Sequence, residues 1–89
     1  MYQLVTYYRE TKTEYKGGLD EVVEREYHNS DEFRLRKNAL HYLREIVQSD
    51  YREQGYATEE RVGGIFCYKS EKTTLGTKTE EIQIKVEKA

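Results

Sequence analysis

Between Asn29 and Gln54 the apolar residues recur at the spacing of one amphipathic helix. At about 100° per residue they fall in one continuous arc, and charged or polar residues fill the opposite arc. Leu43 lies near the centre of the apolar arc, whereas Arg44 lies on the polar arc. The pattern predicts one long helix whose apolar side packs on a sheet.

The expected ends of this helix carry capping residues. Asn29 and Glu32 have the spacing of a capping box, in which the two side chains satisfy backbone groups at the helix start. Gly55 suits the left-handed residue that often follows a helix. We therefore expect the helix to begin just after Asn29 and to end before Gly55.

The remaining apolar residues alternate with polar ones, which is typical of strands. Residues 2–15 are rich in Tyr, Thr and Val, residues 65–68 form a short apolar run, and residues 81–87 alternate without error. The Gly17-Gly18 pair predicts a hairpin turn. Residues 19–28 fit either a helix or a strand, and we favour an edge strand with protective charges.

Residues 56–62 and 70–78 have the composition of loops. No internal repeat or linker divides the chain, so we expect a single domain over residues 1–89. The predicted fold class is α+β: a β-β-α-β-β arrangement, with one amphipathic helix packed on one face of a mostly antiparallel, four-stranded sheet.

Composition narrows the possible surroundings of the chain. Of its 89 residues, 36% are apolar and 36% are charged, and the formal net charge is −2. A weakly acidic protein is a poor general binder of nucleic acid. The single Cys67 indicates a reducing compartment, and the N-terminus resembles no signal peptide. No window is apolar enough to cross a bilayer, so we expect a cytoplasmic protein without membrane contact.

The sequence contains no recognisable catalytic or ligand-binding motif. His28, His41 and Cys67 lack the spacing of metal ligands, and Cys67 is expected to be an inert, packed thiol because it lies in an apolar run. The carboxylate pairs lie in charged surroundings that would not raise a pKa. We therefore predict no enzyme activity, no cofactor, no metal and no small-molecule ligand.

Two features remain as candidate interaction surfaces. One is the polar side of the helix, whose basic residues could contact phosphates or an acidic partner. The residues that we assign to it are Arg34, Lys37, His41 and Arg44. An exposed basic helix side without any partner is the simpler alternative.

The other feature is an excess of tyrosine, nine residues in the chain. One helix leaves the second face of the sheet open, and Tyr is enriched at interfaces. The candidates on predicted strands are Tyr2, Tyr7, Tyr8, Tyr27 and Tyr68. This face could form a homodimer, remain solvated, or stack bases. We expect a small non-enzymatic interaction module that self-associates through the Tyr-rich face. The alternative is a nucleic-acid-binding accessory protein that uses the basic helix side.

Overall fold

A computed structural model describes residues 1–14, 17 and 20–88, without the side chain of Ser30. Five strands and one helical segment form the described part of the chain. The strands are β1 (Tyr2–Glu14), β2 (Glu21–Phe33), β3 (Ala57–Arg61), β4 (Gly64–Lys72) and β5 (Gly76–Lys88), and the helix α1 spans Arg36–Ile46.

The strands form a single antiparallel sheet in the order β2-β1-β5-β4-β3. The first and last strands lie next to each other near its middle and pair from Tyr2 opposite Lys88 to Glu14 opposite Gly76. The β1–β2 ladder is irregular around Leu4, where the chain of β2 bulges. The two edge strands are β2 and β3.

The predicted four-stranded β-β-α-β-β fold is wrong, because the described sheet contains five strands in a β-β-α-β-β-β order. The extra strand, β3, lies in the segment 56–62 that we expected to be a loop. Its residues are polar and mostly exposed, as an edge strand permits. The second expected loop, 70–78, is also mostly strand, and only Thr73–Leu75 separates β4 from β5.

Residues 21–28 confirm the strand alternative, and β2 is an edge strand as expected. It continues to Phe33, beyond the predicted end. Tyr15, Gly18 and Leu19 lie outside the described residues, so the hairpin turn expected at Gly17-Gly18 is described only at Gly17, whose φ is +73°.

The helix begins later than the capping pattern suggested. Asn29 and Glu32 lie in β2, where the Asp31 backbone N–H donates a 2.8 Å hydrogen bond to Asn29 Oδ1. The first helical residue is Arg36, and its cap, Leu35, makes no side-chain hydrogen bond to the helix start. Downstream, α1 continues into a π-helical turn (Val47–Tyr51) and a 3₁₀ turn (Arg52–Gln54). The helical segment ends at Gly55, with φ +89°, as expected.

The core lies between the helical segment and one face of the sheet. Its helical members, Ala39, Leu43 and Val47, are at most 1% exposed, which confirms the helix phase. The sheet contributes buried residues from its three middle strands: Leu4, Ile65, Cys67, Ile82 and Ile84. Among the described residues, no helix is long and apolar enough to cross a membrane.

Candidate functional site: the open face of the sheet

The two faces of the sheet follow from the register of its strands. Leu4, Ile82 and Cys67 face the helix, so the residues that alternate with them point to the other side. We call this second side the open face. Its side chains include Val5, Tyr7, Arg9, Val22, Glu24, Glu26, His28, Glu59, Arg61, Phe66, Tyr68, Glu81, Gln83, Lys85 and Glu87.

The five candidate tyrosines are divided between the two faces. Tyr7 and Tyr68 lie on the open face, and Tyr68 is 46% exposed. Tyr2 and Tyr8 instead pack against the core on the helix side. Tyr27 lies on the helix side of the edge strand β2 and is 50% exposed. Alternation from one strand to the next therefore brings only two of the five together on the uncovered face.

The open face can be described as three rows of side chains that cross the strands. The middle row contains Phe66, Gln83 and Tyr7, flanked by Glu59 and Glu26 at the two edges. A second row contains Tyr68, Glu81, Arg9 and Glu24, and a third contains Arg61, Gly64, Lys85, Val5 and His28. Between its two edge glutamates the middle row is thus mainly aromatic, and the rows on either side of it carry charges on the central strands as well as at the edges.

Basic side chains lie over the aromatic rings of this face. The Arg61 guanidinium carbon is 4.2 Å from the centre of the Phe66 ring, and Lys85 Nζ is 5.5 Å from that of Tyr7. The rings of Phe66 and Tyr68 stack at 5.8 Å. Such cation–π contacts hold flexible cations in place, which gives the face an ordered surface without a covering layer.

Tyr7 also makes a polar contact. Its hydroxyl donates a 2.8 Å hydrogen bond to Glu87 Oε1. This bond stabilises the protonated phenol and so raises the pKa of Tyr7 above its ordinary 10.0, with burial adding to the effect. The phenol therefore remains neutral at physiological pH and acts as a hydrogen-bond donor.

A shallow groove of about 540 Å³ crosses the open face. Phe66 forms one side of it, Tyr7 and Arg9 another, and Glu24 and Glu26 its outer rim on β2. Val5, in the third row, is only 1% exposed although the helical segment of the described residues lies on the opposite side of the sheet. The side chains of the open face therefore pack closely enough on one another to exclude water from an apolar residue.

The basic helix residues are exposed but partly paired. His41 Nε2 lies 3.1 Å from Glu45 Oε1, and Arg44 Nε lies 3.3 Å from Glu60 Oε1. Lys37 is exposed on the first turn of α1, whereas Arg34 lies just before the helix. The four residues thus do not form one unpaired basic surface, because Glu45 and Glu60 offset two of them.

A second polar cluster lies on the helix side of the sheet, next to the last helical turn. The Tyr56 hydroxyl donates a hydrogen bond to Glu80, and Lys78 Nζ lies 3.2 Å from Glu80 and 3.6 Å from Glu10. The hydrogen bond from Tyr56, followed by that from Lys78, holds the pKa of Glu80 below its ordinary 4.5. These groups satisfy one another, so the cluster is suited to holding strands together rather than to proton transfer.

The possible metal ligands and the Cys67 thiol have a defined arrangement in the described residues. Within residues 1–14, 17 and 20–88, no group of three or more His, Cys, Asp or Glu side chains is arranged to hold a metal ion. Cys67 is buried, and desolvation raises the pKa of its thiol to about 11. A buried neutral thiol is a poor nucleophile, in agreement with the expected packing role.

Most residues of the open face were not among the candidates from the sequence, and these include Phe66, Arg61 and Lys85, which make its aromatic and cation–π contacts. The alternation of β4 and β5 assigns Phe66 and Lys85 to the outward side. The sequence did not indicate a place for Arg61 on either face of the sheet, because its segment was expected to be a loop. No protein-family model, curated protein or solved structure matches the chain, so the geometry alone supports the assignment of the site.

Proposed function

We propose that this protein is a small non-enzymatic interaction module that forms a homodimer through the open face of its sheet. One observation carries the proposal: the uncovered face presents an ordered aromatic interior, Tyr7, Phe66 and Tyr68, between charges of both signs. Protein interfaces are enriched in aromatic residues and arginine at their centres and are polar at their rims.

The face is large enough for a stable dimer. Strands lie about 4.8 Å apart and rise about 3.3 Å per residue, so a five-stranded face with long central strands covers on the order of 1,000 Å². A standard interface buries about 800 Å² on each partner. Two such sheets can pack face to face, as the layers of a β-sandwich do.

In the two rows that flank the middle row, the charges on β5 are complementary about that row, whereas Glu26 and Glu59, at the ends of the middle row, face their own copies at the rim. A two-fold axis along this row places the second row of one copy over the third row of the other. Lys85 of each copy then lies over Glu81 of the other, because these residues occupy β5 on opposite sides of Gln83. Likewise Tyr68 of one copy, which projects from the face, then lies over Gly64 of the other copy, which has no side chain. The ion pairs among the described residues involve neither Lys85 nor Glu81.

The nucleic-acid alternative has less support from the geometry. Binding to phosphates requires unpaired basic groups that converge on one surface. His41 and Arg44 are instead paired with acidic side chains, and the aromatic residues of the open face lie among Glu24, Glu26, Glu59 and Glu81. These carboxylates would repel a phosphate backbone. A cytoplasmic location also remains a proposal, based on the single buried Cys67.

Sedimentation equilibrium at micromolar concentration tests the dimer. The wild-type chain should have the mass of a dimer, and Tyr68→Glu should shift it towards the monomer. Tyr27→Glu is the matched control, because Tyr27 is similarly exposed and lies on a strand, but on the other side of the sheet. A wild-type protein that is monomeric across this range would refute the proposal.

A charge exchange tests the two-fold arrangement itself. Lys85→Glu should raise the dimer dissociation constant about tenfold or more, because it places like charges opposite each other twice. The double variant Lys85→Glu with Glu81→Lys should restore association, since each pair is then re-formed with its signs exchanged. If the dimer forms but the second substitution restores nothing, the faces meet in another orientation.

A further inference from the structure

We infer that the outer edge of β2 is a docking site for an extended, basic peptide segment of a partner protein, which adds a strand to the sheet. β2 pairs with β1 on one side only and is the edge strand of the sheet among the described residues. Its other side presents the backbone N–H and C=O groups that such strand addition uses. This inference rests on the edge and not on the proposed dimer.

The free edge is regular over a useful length. From Glu21 to His28 each residue is in register with a residue of β1, without interruption. The irregularity near Leu4 and the local hydrogen bond between Asp31 and Asn29 affect only the end nearer Phe33. A regular stretch of this length can accommodate an ordinary β-strand, which is about five or six residues long.

The charges of this edge specify the partner. Glu24 and Glu26 project on the open face, both exposed, and Glu21 projects on the helix side. Arg25 is the basic residue of this stretch. Arg9 and His28 contact Glu24 and Glu26 at 3.6 and 3.0 Å, but such exposed pairs exchange readily. The edge therefore favours a strand that carries lysine or arginine.

The same charges argue against a second copy at this edge. Pairing β2 with itself brings a mostly acidic strand against another, with Asp31 and Glu32 adding to the repulsion. The opposite edge, β3, carries Glu59 and Glu60 against Arg61, so it is also acidic in balance. Like charges on neighbouring strands are destabilising, and this leaves a basic segment from a different chain as the suitable occupant.

Alternation gives the pattern of that segment. Basic side chains of the added strand would lie beside Glu24 and Glu26 on the open face. Its intervening side chains would lie beside Val23, Arg25 and Tyr27 on the helix side, where Tyr27 is 50% exposed and an apolar side chain avoids like-charge repulsion with Arg25. The site therefore fits a segment in which lysine or arginine alternates with an apolar residue.

The test uses a fluorescein-labelled peptide in which lysine and valine alternate over about eight residues, the length of the regular stretch. Binding is followed by fluorescence anisotropy with the Lys85→Glu protein, in which dimer formation is weakened, so that failure of the dimer proposal does not affect the result. We expect saturable binding. Its absence at low ionic strength overturns the inference.

Variants of the two edges identify where the peptide lies. Glu24→Lys with Glu26→Lys should raise the peptide dissociation constant about tenfold, because two attractions become repulsions. The matched control, Glu59→Lys with Glu60→Lys on β3, should leave it unchanged. Equal effects of the two pairs would mean that the peptide responds to net charge and not to the β2 edge, and would overturn the inference.

Two control peptides test the mode of binding. A peptide that alternates glutamate with valine should not bind, because its charges repel the edge. Methylation of alternate backbone nitrogens of the lysine-valine peptide should abolish binding, because strand addition depends on main-chain hydrogen bonds. Undiminished binding of the methylated peptide would overturn strand addition.

Discussion

Truncating Leu43 to alanine should remove a large part of the stability of the fold. Leu43 is 1% exposed and lies in one buried cluster with Ile65, Ile82 and Ile84. Removing its three outer carbons costs about 2.4 kcal/mol at ~0.8 kcal/mol per buried carbon. A void of about 40 Å³ already borders Leu43, so the site is not tightly closed, and an enlarged cavity adds roughly 1–2 kcal/mol. We expect a total of about 4 kcal/mol.

The neighbouring substitution Arg44→Ala provides the matched comparison. The Arg44 side chain is 62% exposed, and its ion pair with Glu60 is on the surface, so its loss should cost under about 0.5 kcal/mol. Urea unfolding followed by circular dichroism measures both. With an m-value of about 1–3 kcal/mol per M, Leu43→Ala should lower the midpoint by roughly 1–4 M. A larger decrease for Arg44→Ala would refute the assigned core side of the helix.

Two further predictions concern the sheet. Gly76→Ala should cost at least about 3 kcal/mol in urea unfolding, because the added methyl group overlaps the backbone carbonyl of Thr13. Gly55→Ala, at φ +89° in open space, should cost only about 1–2 kcal/mol, and the reverse order would contradict the close approach of β1 and β5 at Gly76. At mildly alkaline pH Cys67 should react slowly with a thiol reagent such as DTNB, because burial raises its pKa to about 11, and unfolding in urea should restore rapid reaction. Equal rates of reaction with DTNB before and after unfolding would contradict a buried thiol. The same raised pKa predicts that the folded state loses stability as the pH rises above the ordinary thiol value of 9.0, because the thiol of the unfolded chain releases its proton at a lower pH than that of the folded chain.

Strong periodicity in the sequence was sufficient to predict the core. The alternation of β5 correctly placed Ile82 and Ile84 inward, and the helical spacing correctly placed Leu43 and Val47. The helix and the strand that carry these residues each bury one side only, so the spacing of their apolar residues indicates which side faces the core. The strand at residues 19–28 was favoured on other grounds: ten residues make a poor independent helix, and the preceding Gly17-Gly18 pair favours a returning strand.

The missed elements lack such a pattern. β3 has one partner strand and mostly exposed side chains, so its stability comes from backbone pairing with β4, which no local sequence feature reports. The helix start was misplaced because Phe33 can complete the apolar arc of a helix. In the structure it instead packs against Tyr42 from the end of β2, at 5.3 Å between ring centres.

The candidate site depends on the order of the strands in the sheet, and the alternation of residues within one strand gives no information on that order. The sequence could place Tyr7 and Tyr68 on strands, but the row through Phe66, Gln83 and Tyr7 exists only because β5 lies between β1 and β4. Contacts such as that of Arg61 with Phe66 also join β3 to β4. These features follow from pairing between distant segments.

The adjacency of β1 and β5 also has a consequence for how the chain acquires its structure. During synthesis β1 and β2 emerge from the ribosome before β5, and β1 then exposes the backbone edge that β5 later covers from Tyr2 to Glu14. Until the last strand has emerged, that edge is open to pairing with other nascent chains. Pairing of segments so far apart in the sequence is also slow, because the chain loses the entropy of loop closure before the contacts between the strands form. The most extensive strand pair of the described sheet thus has to wait for β5, and slow translation of the segment that forms β5 should increase aggregation.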